Sequence, residues 1–314
     1  MKSGNINRRK FLGIFTAAGS LAFIPTILWD RTSASILTTA TTLDKIPDIS
    51  VVKSSDYYQA AIEAVNMLGG INKFVKKGSR TGILINGGFK NKGTYTNPDV
   101  SLALIKMCFD AGASEVMIFR ADDKNYWSQA KNYPTHSEIL EKVTHSTSNI
   151  KVKIDKGLIL KEAEVVKELK ELDTLINIPI GKHHDGSMIT CCLKNMMGLN
   201  TRSTNSFFHT SSGEQGLSTN EYLAQCIADL NLLRKPDLCV VDSTIFITNN
   251  GPHGPGELRQ EDKIIAGNDP VAIDAYFAKV FGLGEGDVLA TQYAAKHGIG
   301  EADLSKVIIE EKIL

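Results

Sequence analysis

Cysteine is scarce in this sequence and forms no metal-binding motif. The chain of 314 residues has five cysteines, and no two of them stand in a C-x-x-C arrangement. They are Cys108, Cys191, Cys192, Cys226 and Cys239. Because zinc ribbons and iron–sulfur clusters are usually bound by such pairs, an iron–sulfur cluster is not expected. The odd number and irregular spacing also give no disulfide framework. The identity of any metal or cofactor stays open.

The chain also lacks an excess of charge of either sign. It has 35 lysines and arginines and 35 aspartates and glutamates. Residues 1–34 hold five of the basic residues but a single acid, which leaves 30 basic and 34 acidic residues and a net charge of −4 for the remainder. Such a chain does not offer the basic surface to which nucleic acids and anionic membranes are attracted. No nucleic-acid partner is therefore expected.

The basic residues of the N-terminus precede an apolar run, as in an export signal. Arg8-Arg9-Lys10-Phe11-Leu12 leads into the apolar residues 13–29, and small residues follow at 32–34. The arginine pair followed by Phe-Leu resembles a twin-arginine signal, an address read by the twin-arginine export machinery. Residues 1–34 thus predict export to the periplasm. An uncleaved membrane anchor is the alternative, since the apolar run is almost long enough to span a bilayer.

Residues 35–50 are rich in Thr and Ser and are predicted to be a linker to an α/β domain at 51–314. The pattern from Thr81 to Arg120 predicts a strand, a helix that begins at Pro98 after an Asn97 cap, and a second strand. The glycine-rich loop 87–93 between them matches no phosphate-binding motif and is expected to be a plain connection. The fold class is therefore α/β, with a mainly parallel sheet flanked by helices, in one large domain or in two sub-lobes.

The stretch 177–198 concentrates polar side chains after an apolar run. Lys182, His183 and His184 follow the run, and Ser187 is predicted to open a helix that carries Lys194 and Asn195. Ligands of α/β proteins tend to bind at the carboxyl ends of strands. Taken singly, these residues are more often loop residues and solvated lysines, but their clustering favours a site. A further helix is expected over residues 160–169.

Two later segments add polar groups at predicted strand ends. Asp242 and the rigid loop that holds Asn250 and Gly251 follow one strand, and this loop is expected to be a wall of the site. Asp269 and Pro270 are predicted to cap the next helix. Asp274 lies on the apolar face of that helix, where its expected role is to bind the backbone amides of a loop.

Three segments together resemble the domain-of-unknown-function 362 family. They are Asn177 to His184 with Cys192 to Gly198; Val241-Asp242 with Asn250-Gly251-Pro252; and Ile265 to Ala275. The resemblance covers roughly residues 80–300 and is strongest over 174–300. It implies an α/β fold more than an activity. Some members of this family carry an iron–sulfur module, and this sequence lacks the cysteines for one.

A second resemblance concerns Lys194, which stands ten residues after His184, with a glycine between them. This spacing is similar to the segment of nickel-pincer lactate racemases that attaches the cofactor. The racemases have a second glycine before their lysine, and this chain has Cys191, Cys192 and Leu193 there.

The sequence favours an exported enzyme that acts on a small anionic molecule. His183 or His184 would act as a general base or metal ligand, because imidazole titrates near neutral pH. Lys182 and Lys194 would hold the anion, aided by the helix N-terminus at Ser187. Asn195, Asn250 and Gly251 would contact the ligand, and Asp242 or Asp269 would orient a histidine or bind a metal. The alternative is a non-catalytic periplasmic binding or cofactor-maturation factor.

Overall fold

The computed structural model describes residues 45–121, 123–209 and 216–314. The predicted signal at 1–34 and most of the predicted linker lie outside these residues. Twelve strands are described: β1 (Ile49–Lys53), β2 (Arg80–Ile85), β3 (Glu115–Phe119), β4 (Thr144–His145), β5 (Asn149–Lys153), β6 (Glu162–Val166), β7 (Thr174–Ile178), β8 (Lys182–His184), β9 (Met188–Thr190), β10 (Leu238–Ile247), β11 (Leu258–Gly267) and β12 (Ile309–Ile313).

The α-helices of the same residues are α1 (Tyr57–Met67), α2 (Pro98–Asp110), α3 (Lys124–Trp127), α4 (Tyr133–Leu140), α5 (Cys192–Asn195), α6 (Arg202–Phe207), α7 (Thr219–Leu230), α8 (Pro270–Phe281) and α9 (Leu289–Lys296). Within the described part of the chain, every helix is too short or too polar to cross a bilayer.

Eight strands form one sheet in the order β12-β1-β11-β10-β7-β2-β3-β4. Neighbours pair in parallel except where β11 meets β1 and β10, so β11 alone among the eight runs in the opposite direction. The predicted α/β class with a mainly parallel sheet is confirmed. The carboxyl ends of β10, β7, β2 and β3 consequently lie side by side at one edge, which we call the rim.

Helices cover both faces of this sheet, because side chains of a strand alternate between faces. Ile83 and Ile85 of β2 pack with α1 and α2, whereas Leu84 between them packs with α7 and α9. Strand β10 divides in the same way, since Val240 joins the first cluster and Val241 packs against α8. The chain therefore buries a core on each side of the sheet, as expected for three layers.

The caps predicted for two helices are confirmed. The Asn97 side chain accepts a hydrogen bond from the Asp99 backbone N–H, and Pro98 opens α2. Asp269 accepts hydrogen bonds from the backbone N–H groups of Val271 and Ala272 at the start of α8. Both helices begin where a capping side chain satisfies amides that have no partner within the helix.

Two predicted helices are wrong. Residues 160–169 contain strand β6 rather than a helix, and β6 pairs with β5 in a separate antiparallel ribbon. The chain at Ser187 is the turn of an antiparallel hairpin in which β9 pairs with β8, and helix α5 begins only at Cys192. The apolar residues of 188–197 fit a helical period. Residues 188–190 nevertheless form a strand, because they pair with residues 182–184.

Candidate active site

The hairpin β8–β9 and helix α5 together bring the predicted histidines and lysines to the rim. The β7 strand ends at Ile178, and the hairpin follows after three residues. Helix α5 is anchored by Asp274, whose two carboxylate oxygens accept hydrogen bonds from the backbone N–H groups of Cys192 (2.7 Å) and Leu193 (3.1 Å). The expected structural role of Asp274 is therefore present, and it fixes the backbone next to Lys194.

Lys182 is fully buried and holds two loops together. Its Nζ donates hydrogen bonds to the backbone oxygens of Thr94 (2.6 Å) and Pro252 (2.9 Å). The same ammonium lies 3.5 Å from the centroid of the Phe89 ring, in the geometry of a cation–π contact. Burial, and then repulsion from Lys194, lowers the pKa of Lys182 to about 7. Because these hydrogen bonds hold the loops that contain Thr94 and Pro252, Lys182 has the role of positioning those loops.

His183 accepts a hydrogen bond at Nδ1 from the Gly251 backbone N–H at 3.0 Å. An amide always donates, so Nδ1 is unprotonated and the neutral ring carries its proton on Nε2. The exposed Asp185 carboxylate lies 3.6 Å from the same nitrogen, too far for a hydrogen bond. A Cβ on Gly251 would stand 1.9 Å from the His183 backbone oxygen, so only glycine fits here.

His184 is buried and has the same tautomer. Its Nδ1 accepts a hydrogen bond from the Gly186 backbone N–H at 3.1 Å, which leaves the proton on Nε2. Burial first, and then the positive charge of Lys194, lowers the pKa of His184 to about 2. The ring is therefore neutral at physiological pH and presents an N–H donor. This disfavours the expected roles of general base and metal ligand, both of which need a free nitrogen lone pair.

A pocket of about 250 Å³ opens at the rim beside these residues. Each of the four adjacent strands contributes to it through the segment that follows its carboxyl end: Asn86 after β2, Arg120 after β3, His184 and Lys194 after β7, and Pro252 and His253 after β10. Its lining includes two cationic side chains and three histidines, and no carboxylate among the described residues. The pocket is therefore electropositive and suited to an anion.

Lys194 is the central cation of this pocket, which we call the rim pocket. Among the described residues, its only hydrogen-bond acceptor is the thioether sulfur of Met197, 3.4 Å from Nζ. A thioether is a weak acceptor, so within the described part of the chain the ammonium has neither an ion pair nor a strong hydrogen bond. Removal from water lowers the pKa of Lys194 to about 8. A ligand oxygen would supply the missing partner.

Arg120 was missed by the sequence analysis, as were Asn86 and His253. Arg120 stands directly after β3 with φ at 70°, a conformation that costs a non-glycine residue about 1–3 kcal/mol and that occurs often at functional sites. Its position at the end of a predicted strand was the available signal. Its proximity to Lys194 was not predictable, because it depends on the order of strands in the sheet.

Several expected site residues do not line the rim pocket. The Ser187 hydroxyl donates to the Ile189 backbone oxygen within the hairpin turn, and Asn250 is exposed and donates to the Pro255 oxygen. His183 and Gly251 are hydrogen-bonded to each other and do not line the pocket, whereas Asn195 does.

The two expected carboxylates also lie elsewhere. Asp269 caps α8 and accepts the Glu301 backbone N–H. Asp242 accepts the backbone N–H groups of Asn97 and Thr244. Neither aspartate forms a hydrogen bond or an ion pair with a histidine of the described residues. The expected role of orienting a histidine is therefore wrong for both.

Comparison with known proteins places this architecture in a family. A family model described as "Domain of unknown function (DUF362)" matches residues 83–279, well over half of the chain. The chain belongs to this family. The matched residues include every wall of the rim pocket, and the family expected from the three sequence segments is confirmed.

Individual relatives of this family member are distant. It is 23% identical over 252 residues to a thylakoid-associated protein of Synechocystis sp., in a match that covers 76% of this chain and 75% of that protein. Among solved structures it is similar to a lactate racemase apoprotein from Thermoanaerobacterium thermosaccharolyticum, with 10% identity and a TM-score of 0.42. The match covers 69% of this chain and 53% of the racemase, so the chain spans about half of that protein's length.

A second solved structure, of a Thermotoga maritima protein, is similar with 10% identity and a TM-score of 0.35. That match covers 78% of this chain and 60% of the other chain.

One cluster in the described residues has the ligand types of a metal site: Cys191, Cys192 and Asp274. All three are buried, and both oxygens of Asp274 already accept backbone N–H groups. Burial raises the pKa of the Cys191 thiol to about 12, and thiols bind metals as thiolates. The cluster therefore fits an anchor for α5 better than a metal centre.

Proposed function

We propose that this protein is an enzyme that binds a small anionic molecule in the rim pocket and exchanges a proton with it through Lys194. The observation that carries the proposal is the Lys194 ammonium, which has a thioether as its only hydrogen-bond acceptor among the described residues. A buried or half-buried charge without a counter-charge is costly. A bound carboxylate or phosphate would remove that cost.

The other donors of the rim pocket fit the same ligand. The Nε2–H group of His184 supplies a neutral donor, and Arg120 supplies a charged one that can bind an oxyanion with two parallel hydrogen bonds. Asn86 and Asn195 add amide groups on the walls. These groups bind and orient the anion without giving up a proton at neutral pH.

Lys194 is the group suited to proton transfer. A pKa of about 8 leaves a fraction of the amine unprotonated at neutral pH, unlike an ordinary lysine. General acid–base catalysts work best when their pKa lies near the working pH. Lys194 therefore combines attraction for an anion with the ability to take up and return a proton.

The test starts with the protein purified from its native compartment, and small molecules released from it are identified by mass spectrometry. The identified anion is then titrated against the wild type, Lys194→Met and Lys194→Arg. Lys279→Met, which removes an exposed lysine of α8, is the control for net charge. We expect Lys194→Met to lose binding, Lys194→Arg to bind without turnover, and the control to keep both. Unchanged binding in a folded Lys194→Met protein would overturn the proposal.

A non-catalytic binding or cofactor-maturation role is the second candidate, and the histidine tautomers favour it. Both His183 and His184 accept backbone N–H groups at Nδ1, so they act as fixed donors rather than as bases. This candidate predicts capture of one ligand per protein with no chemical change. The enzyme proposal predicts conversion of many ligand molecules by each protein molecule.

We also propose that the protein is exported, on the strength of the Arg8-Arg9 pair and the apolar run that follows it. Replacement of both arginines by lysine is expected to hold the protein in the cytoplasm if the twin-arginine machinery is its export partner. N-terminal sequencing of the exported form distinguishes a cleaved signal from an uncleaved anchor. Periplasmic recovery of the double variant would contradict the twin-arginine route, and retention of the wild type in the cytoplasm would contradict export itself.

A further inference from the structure

A second groove, which we call the side groove, adjoins the rim pocket. It has a volume of about 430 Å³ and lies past the carboxyl ends of β3 and β4. Arg120 and Gly198 line both spaces, so they form a shared wall. The rim pocket and the side groove therefore follow each other along the same edge of the sheet.

Gly198 allows the shared wall to be thin. A Cβ at this position would lie 2.9 Å from Leu84 Cδ1 and 3.4 Å from Arg120 Cγ, so a larger residue would clash with Leu84 and fill the space beside Arg120. The left-handed backbone of Arg120 directs the chain away from the extended path of β3 at the same place. The guanidinium of Arg120 can thus serve a ligand that passes from one space to the other.

The side groove also presents cationic side chains on its surface. Besides Arg120 it is lined by Arg202, the first residue of α6, and no described carboxylate lines it. The Arg202 guanidinium makes no hydrogen bond or ion pair with any described residue. Two carboxylates lie behind the lining and accept hydrogen bonds from its hydroxyl groups: Ser146 donates to Glu168 (2.6 Å) and Thr201 donates to Glu164 (3.0 Å).

We infer that the ligand held at Lys194 is elongated and carries a second anionic group, which binds Arg202 in the side groove. This inference rests on the proposed function and narrows the ligand to molecules with an acidic group at each end. Together the two spaces have the size of an ordinary small-molecule site. A molecule that reaches both cations gains affinity because its second contact forms within one complex.

Calorimetric titration with matched carboxylates tests the inference. The dicarboxylates run from succinate to suberate, and each is compared with the monocarboxylate of the same carbon number. We expect one dicarboxylate to bind about tenfold tighter than its matched monocarboxylate, the gain typical of one charge-assisted hydrogen bond. Arg202→Gln should erase this gain and leave monocarboxylate binding unchanged. Arg202 is exposed on the surface of α6, and thermal unfolding checks that the variant folds.

The outcomes separate the inference from the function on which it rests. If monocarboxylates bind and Lys194→Met weakens them, but no dicarboxylate binds more tightly, the second subsite is overturned and the proposed function stands. A dicarboxylate gain that survives in Arg202→Gln also overturns it. If neither series binds the wild type, the inference is overturned, and the proposed function is decided by the titration of the anion recovered from the native protein. If Lys194→Met binds both series as well as the wild type does, the proposed function and the inference fail together.

Discussion

The carboxylate of Asp274 on α8 holds the backbone N–H of Cys192 at 2.7 Å, two residues before Lys194. The same carboxylate accepts the N–H of Leu193, so one buried side chain fixes the start of α5. The position of Lys194 therefore depends on a residue of a different helix, which lies more than seventy positions later in the sequence.

Asp274→Asn is expected to lower the free energy of unfolding by about 1.5–3 kcal/mol, the range for buried hydrogen bonds to a charged group. The asparagine side chain can accept a hydrogen bond through its oxygen only. Its NH₂ group, a donor, would face the second backbone N–H, so one of the two hydrogen bonds would be lost. Chemical denaturation measures the loss. Asp287→Asn is the control, because exposed Asp287 also accepts a backbone N–H, from Gly284, and should cost less than about 1 kcal/mol. Equal effects of the two changes would contradict the anchoring role.

The sequence predicted the sheet and the caps of α2 and α8 because those features depend on neighbouring residues. Asn97-Pro98 and Asp269-Pro270 are local signals, and both helices begin where these signals stand. The role of Asp274 was also predictable, since a carboxylate on an apolar helix face needs partners. The identity of those partners, at residues 192 and 193, came only from the structure.

The segment after Gly186 shows why the rest was not predictable. Met188, Ile189 and Cys192 fit a helical spacing as well as a short strand followed by a helix. The structure pairs Met188 with His184 and exposes the Met188 side chain, which a periodicity argument cannot foresee. The proximity of Arg120 to Lys194 was unpredictable for a comparable reason. It arises because β3 and β7, which precede these residues, both flank β2 in the sheet. The sequence of neither segment determines this strand order.

The affinity for an anion should fall as pH rises through about 8, because Lys194 then loses its proton. The anion favours the protonated amine, so binding near this pH should also take up protons from the solution. Calorimetry in buffers of different ionisation enthalpy measures that uptake. Lys194→Arg keeps its charge throughout this range and should bind with little pH dependence. If the affinity of Lys194→Arg for the anion falls equally steeply with pH, the pH dependence comes from another group.

The free energy of unfolding should respond to pH through Lys182. Its folded-state pKa, about 7, lies below the unfolded value of about 10.4. Between these values the unfolded chain binds more protons than the folded one, so the contribution of Lys182 becomes more favourable as pH rises. Denaturation at about pH 7 and about pH 9 measures the change. Lys182→Met removes the group, so the wild type should gain more stability over this interval than the variant does.

His184 should not titrate between about pH 5 and about pH 8, since burial and Lys194 lower its pKa to about 2. Nitrogen–proton correlation NMR of the imidazole is expected to show a neutral ring with its proton on Nε2 throughout. A His184 signal that moves with pH in this range would mean that the ring can accept a proton. That result would support His184 as a general base.

Gly251→Ala should separate the loop 248–256 from the hairpin β8–β9. The added Cβ would stand 1.9 Å from the His183 backbone oxygen and 3.1 Å from its Nδ1, so the hydrogen bond that sets the His183 tautomer must break. We expect a loss of more than about 2 kcal/mol in the free energy of unfolding, as for overpacking at a buried contact. Gly88→Ala is the matched control, because its Cβ would meet nothing within 4 Å. If thermal unfolding shows both variants to be as stable as the wild type, the close approach of Gly251 to His183 does not hold the rim pocket together.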